Sequence, residues 1–175
     1  MEFFEVLRGR RSVRSYRKEP VEEEKLKRIF DAANMAPSAG NLQAYHVRVV
    51  REAAKRSELA KAAHDQGFIA EAPVCLVFFA DVERSAAKYG NRGAELYSIQ
   101  DATIAGSFAM LAATALDLAT VWVGDFDEKK VQEIMGTKSL RPVAMFSLGY
   151  AGEQPKPTPR RAIEEIFSGD FPQTD

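Results

Sequence analysis

The 175-residue sequence holds one cysteine, Cys75, and two histidines, His46 and His64. A lone cysteine excludes an intrachain disulfide and any multi-cysteine metal site, and it fits a reducing compartment. Within Val74-Cys75-Leu76-Val77 its expected role is that of a small buried hydrophobe rather than a nucleophile. No H-E-x-x-H segment is present, so no metal site is expected; His46 reads as opening a strand, and neither histidine has the context of a catalytic base. The glycines never fall into G-x-G-x-x-G, and Walker A and G-x-S-x-G sequences are missing. Rossmann dinucleotide, P-loop and α/β-hydrolase chemistry are therefore unsupported. Neither sign of charge dominates: 24 Lys+Arg stand against 25 Asp+Glu, a net charge of -1. That balance removes any whole-protein argument for nucleic-acid or membrane binding. The start, Met1-Glu2-Phe3-Phe4, lacks the basic-then-apolar order of a signal peptide, and a cytoplasmic protein is expected.

What remains is 46% hydrophobic and 28% charged, the composition of one globular domain spanning residues 1–175 with a sizeable core. The stretch from Ala102 to Val123 carries a single charge, Asp117. On a helical wheel Ile104, Phe108, Leu111 and Leu118 fall on one side, and Ala102, Ala105, Ala109, Ala112 and Ala113 on roughly the opposite one. This reads as a helix buried on two faces rather than a membrane anchor. The bulky face suits a sheet or core, and the alanine face suits close approach to another helix, including one from a second subunit. Further helices are expected over Phe3 to Leu7, around Leu26, Ile29, Phe30 and Ala33, over Ala53 to Ala63, and after Asp127 with Gly136 as its stop. Strands are expected at His46 to Val50, Val74 to Ala80, Thr120 to Val123 and Val143 to Tyr150. Asp81 to Gly93 reads as a loop, and Gln154 to Pro159 as extended. Strands set between helices make a layered α/β or α+β domain.

Four segments carry polar chemistry. Arg10-Arg11-Ser12-Val13-Arg14-Ser15-Tyr16 gathers guanidinium groups and a hydroxyl, a set suited to phosphate or another compact anion. Taken alone, a solvated basic stripe is its plainest reading and a nucleic-acid contact the next. In Pro37-Ser38-Ala39-Gly40-Asn41-Leu42-Gln43 the side chains of Ser38, Asn41 and Gln43 exceed what stopping a helix requires. Trp122-Val123-Gly124-Asp125-Phe126 puts a glycine at a strand exit, where its N–H is available to a planar ligand. Arg160-Arg161 closes the proline-rich tail. With no conventional catalytic side chains in view, an enzyme built this way points to a bound organic cofactor.

Taken in order, Arg10-Arg11-Ser12-Val13-Arg14, Ala36 to Gln43, Tyr97-Ser98-Ile99-Gln100-Asp101-Ala102, Trp122 to Asp127, Pro142-Val143 with Leu148-Gly149-Tyr150, and Pro159-Arg160-Arg161 resemble the nitroreductase family of FMN-dependent flavoproteins. The likeness runs over nearly the whole chain. It implies an α+β fold with a central, mostly antiparallel mixed sheet flanked by helices, an intimate homodimer with the long helix in its core, and FMN at the interface. It further implies that Arg10, Arg11 and Ser12 hold the FMN phosphate and ribityl chain. Arg14 matches a basic residue near the pyrimidine edge, where a fixed cation stabilises reduced flavin. Pro37, Ser38, Asn41 and Gln43 match a loop reaching the ring from the other subunit. Val123 and Gly124 match the strand exit beside the ring, with the Gly124 N–H facing N5, and Arg160 and Arg161 match the residues completing the phosphate site. The implied activity is hydride transfer from NADH or NADPH through flavin N5 to a nitroaromatic or quinone-like acceptor in a ping-pong cycle, with Gly124 and Arg14 as the catalytic pair. The chain departs from the pattern at Ala44-Tyr45, where many relatives have Pro-Trp, at Asp125, whose direction is left open, and at Asp81 to Arg92, too short for a large substrate-covering insertion. Two rival readings are a flavin-binding or flavin-sensing module without turnover, and a colourless protein whose basic segments bind nucleic acid or an acidic partner.

Overall fold

Two consecutive phenylalanines, Phe78 and Phe79, belong to opposite faces of one strand, and the core divides into two layers along that alternation. The computed structural model describes residues 2–169; Met1 and residues 170–175 of the expected 1–175 domain lie outside the described residues. In chain order the helices and strands are α1 (Phe3–Gly9), α2 (Glu23–Asn34), β1 (Tyr45–Val50), α3 (Ala53–Ala62), α4 (Phe68–Glu71), β2 (Val74–Asp81), α5 (Val82–Arg92), α6 (Ser98–Ala115), β3 (Ala119–Val123), α7 (Glu128–Met135) and β4 (Leu140–Gly149). The strands form one sheet in the order β1-β2-β4-β3, every neighbouring pair antiparallel. A single parallel bridge, Ser12 to Thr120, adds the residues after α1 to the β3 edge.

On one face α2 and α6 bring Leu26, Ile29, Ala33, Ala105, Ala109 and Ala113 against Leu76, Phe78, Ala144, Phe146 and Leu148. The other face is covered by α3, α4 and α7 through Leu59, Ile69 and Val131, packed on Val77, Phe79, Val121 and Met145. The ring centroids of Phe78 and Phe146 lie 4.8 Å apart, and those of Trp122 and Phe146 lie 4.9 Å apart. Burying each phenylalanine contributes about 1.5–3 kcal/mol. Cys75 is fully buried in β2, as expected of a small core residue, and burial pushes its thiol up to about 12.

Two expectations are corrected. Residues 82–92 are helical rather than a loop. The Asp81 carboxylate accepts the Arg84 N–H and starts α5, which buries Ser85 and breaks only at Gly90, where φ is 57° and ψ is -142°. The alanine face of α6 meets another helix as expected, but part of the bulky face does not reach the core. Ala105, Ala109 and Ala113 pack against α2 of the same chain and the sheet, and Ile104 and Leu118 join the same core, while Phe108 stays 38% exposed and Leu111 partly exposed. Small residues win the inner face because the helix backbone lies so close to the sheet. A Cβ on Gly106 would stand 2.9 Å from Phe146 Cζ.

Candidate functional site

Helix α1 starts in a reciprocal capping box, with Glu2 accepting the Phe4 N–H and Glu5 accepting the Glu2 N–H. At its other end Arg11 Nη1 donates to the carbonyl oxygens of Arg8 at 2.6 Å and Arg10 at 2.8 Å. That closes the helix terminus where partial negative charge collects. The chain then runs along the β3 edge. The Val13 N–H donates to the Thr120 carbonyl at 3.1 Å, and the buried Tyr16 hydroxyl donates to the Val13 carbonyl at 2.7 Å and lies 3.2 Å from that of Ser147. Burial raises the Tyr16 phenol above its ordinary range.

Strapped in this way, Arg10 to Arg14 form one wall of a cleft of 470 Å³, and residues 155–160 of the returning tail form the other. Arg8, Arg10, Arg11, Arg14, Lys156 and Arg160 line it together with Ser12, and among the described residues no carboxylate lines it. Arg10, Lys156 and Arg160 form no ion pair among the described residues. Burial holds the Arg10 guanidinium below its usual proton affinity, and the like charges of Arg160 and Arg11 depress it further. Arg161 points elsewhere: Nε lies 3.0 Å from Glu165 Oε2, and Nη2 donates to the Glu165 carbonyl at 2.9 Å.

Arg14 is anchored through its main chain, whose N–H donates to Glu153 Oε1 at 2.6 Å, and its guanidinium lies 5.9 Å from the centre of the Phe68 ring. Gly124 leaves β3 exposed to solvent. A Cβ there would make only ordinary contact, 3.4 Å from Trp122 Nε1, so the packing of the chain itself does not require glycine at this position. Asp125 turns toward the residues before α4, with its carboxylate 3.3 Å from His64 Nε2 and its carbonyl accepting from Gln66 Nε2 at 3.3 Å. Arg14 and Gly124 therefore flank the same 62–68 segment.

The 37–43 loop is built differently. Gly40, Asn41 and Gln43 all take left-handed backbone, with φ of 55°, 57° and 50°. Gly40 also lies under Tyr89 and Lys88, where a Cβ would collide with the Tyr89 hydroxyl. Ser38 Oγ accepts the Gln43 N–H at 2.9 Å, and Gln43 Nε2 donates to Asn41 Oδ1 at 3.2 Å. This loop feeds β1, one edge of the sheet, whereas Gly124 and the Arg10 to Arg14 segment lie at β3, the other edge. Three inter-strand spacings, about 14 Å, separate the two edges. A single chain thus gathers the arginine cleft and Gly124 on one side and leaves Pro37, Ser38, Asn41 and Gln43 on the other.

A family model described as the Nitroreductase family matches residues 7–70 and 63–150. The chain belongs to the nitroreductase family. The NADH dehydrogenase of Thermus thermophilus is 32% identical to it over 90% of each chain. The FMN reductase [NAD(P)H] of Bacillus subtilis is 30% identical, covering 94% of this chain and 72% of its own. Among solved structures, the NADPH:FMN oxidoreductase from Vibrio harveyi complexed with NAD+ matches with a TM-score of 0.88 at 25% identity, over 98% of this chain and 78% of that one.

In this nitroreductase-family chain the structure adds residues that the sequence reading did not single out. Arg8 and Lys156 join the cleft, and Glu153 holds the Arg14 main chain. Asp101, 2% exposed, accepts the N–H of Ala39 at 2.9 Å and of Ala44 at 3.3 Å. Its signal was present as a single carboxylate inside an otherwise uncharged helical run from Leu96 to Leu116. Among the described residues no cluster of three or more His, Cys, Asp or Glu is placed to hold a metal ion, and no helix is long and apolar enough to cross a membrane.

Proposed function

We propose that the chain is a cytoplasmic, homodimeric oxidoreductase that uses FMN and NAD(P)H. The observation that carries this reading is the cleft of cations without carboxylate partners, in which Arg10 is destabilised by burial and by its neighbours. A compact dianion relieves both penalties, since phosphate oxygens replace lost water and neutralise the mutual repulsion of the guanidinium groups. The donor set therefore fits FMN, and the relatives named for FMN favour that cofactor over an inorganic anion.

In this reading Arg10, Ser12, Lys156 and Arg160 hold the phosphate and ribityl hydroxyls. Arg11, with Nη1 committed to the end of α1, contributes its remaining N–H groups and its charge. Arg161 is held back by Glu165. Arg14 sets a fixed positive charge at the pyrimidine edge, where reduction would accumulate negative charge. Val123 and Gly124 present bare backbone, with the Gly124 N–H offered to N5. When bound, FMN would supply the hydride-transfer chemistry linking NAD(P)H to an electron-poor acceptor such as a nitroaromatic or quinone, in a ping-pong cycle. The protein contributes binding, fixed charge and orientation. Pro37, Ser38, Asn41 and Gln43 serve this site from a second copy, a reading supported by their position at the opposite edge of the sheet from the cleft. The half-exposed Phe108 on α6 supplies apolar surface for that pairing.

The test is the visible absorption spectrum of the purified protein, recorded anaerobically before and after NADH or NADPH is added. Flavin bands that bleach, with FMN released on denaturation, are the expected result. A yellow protein that neither nucleotide reduces would make it a flavin carrier, and a protein left colourless after incubation with FMN would overturn the reading.

A further inference from the structure

Asp101 lies near the start of α6, sealed from solvent, and forms no ion pair among the described residues. Burying an ionised carboxylate without a cation is unfavourable, and here the compensation comes from main-chain donors. Oδ1 accepts the Ala39 N–H and Oδ2 accepts the Ala44 N–H. These two amides bracket a loop whose Gly40, Asn41 and Gln43 are left-handed. Non-glycine residues keep that conformation only where surrounding contacts over-determine it. The Ser38 and Asn41 side chains close the loop on itself, Arg84 Nε holds the Leu42 carbonyl, and Asp101 ties both ends to the long helix.

We infer that Asp101 is a positioning residue for cofactor binding: its carboxylate holds residues 39–44 in the conformation in which Ser38, Asn41 and Gln43 can meet the flavin of the neighbouring subunit. This rests on the function proposed above. Asp101 itself touches neither flavin nor substrate and acts through the loop.

The first variant is Asp101→Asn, which keeps one acceptor oxygen and turns an N–H group against a main-chain donor. The second is Ala39→Pro, which removes a donor without touching the buried carboxylate. Ala39 opens a single helical turn after the extended Ser38, at φ -142° and ψ 158°, a setting that accommodates proline. Both variants are expected to stay folded and dimeric as apo-proteins and to bind FMN about tenfold more weakly or worse, the loss appearing as faster release. With FMN at saturation, the KM for NAD(P)H is expected to be unchanged. In an Asn41→Ala background, Asp101→Asn should add little further loss of FMN affinity, because both act through one loop.

Wild-type FMN affinity in Asp101→Asn alongside a lowered apo-protein melting temperature would make Asp101 a purely structural residue and overturn the inference. Fully additive losses with Asn41→Ala would overturn it as well. If Asp101→Asn does not fold, Ala39→Pro decides, and unchanged FMN affinity there counts against the inference. Failure of the wild-type chain to bind FMN is a separate outcome that removes the function proposed above and this inference with it.

Discussion

Arg10 and Arg160 are held together against their mutual repulsion, and neither has an anionic partner among the described residues, so each gains from a bound anion. Arg10→Ala or Arg160→Ala is expected to weaken FMN binding about 10- to 100-fold, the range spanned by hydrogen bonds to charged groups. Arg161→Ala should change it less than about twofold, because the guanidinium is already engaged by Glu165 on the surface. Fluorescence titration of FMN against the apo-proteins checks all three. Adjacent arginines are indistinguishable as letters; what separates them is which one the returning tail turns inward. Asp101 was hidden for a related reason. A carboxylate in a helix gives no hint in sequence that its partners are amides 62 and 57 positions away. The arginines that follow α1 were legible because their spacing and chemistry are local.

Helices α2 and α7 and all four strands followed from apolar periodicity and local turn and cap signals, with Asp127 and Gly136 (φ 62°) bounding α7 as expected, whereas α3, expected over Ala53 to Ala63, has neither a one-sided apolar stripe nor a side-chain cap. The sequence of α5 reads as a loop although Val82, Ser85, Ala86 and Tyr89 recur at helical spacing on its inner side; the stretch holds few large apolar residues, and Gly90 and Gly93 read as loop punctuation. The outward placement of Phe108 and Leu111 on α6 escapes the sequence because hydrophobicity alone ranks them above alanine. Close packing reverses that ranking where backbone and sheet nearly touch. Gly106→Ala measures this proximity: with Phe146 only 2.9 Å from the added methyl, overpacking is expected to lower stability by about 1–3 kcal/mol. Urea denaturation of the apo-protein, with the midpoint falling and the slope unchanged, is the readout.

The assembled chain carries two groups that burial keeps neutral, the Cys75 thiol and the Tyr16 phenol, against ordinary values of 9.0 and 10.0. Raised values mean that the folded state retains protons the unfolded chain would release. Stability is therefore full below pH 9 and falls as pH climbs toward 12. Each group lowers it by up to about 1.4 kcal/mol per pH unit within its own window. Thermal melts between pH 8 and pH 11 should show this decline, and iodoacetamide should label Cys75 only in unfolded protein. Assembly beyond the single chain is tested at α6, where Phe108→Glu is expected to yield a monomer that loses flavin although every cleft arginine is intact, as read by sedimentation velocity and absorbance. In the sequence, a second subunit is raised by the alanine face of the long helix; strand order supports the proposed pairing on separate grounds, because it sets the 37–43 loop and Gly124 at opposite margins of the sheet. This separation has a genetic reading. On the proposed dimer, a copy disabled at Arg10 and a copy disabled at Asn41 are each expected to be inactive when paired with themselves. Expressed together they are expected to form mixed dimers in which both lesions fall into one site and leave the other whole, so activity assayed in the mixture should return in part although neither copy supports it alone.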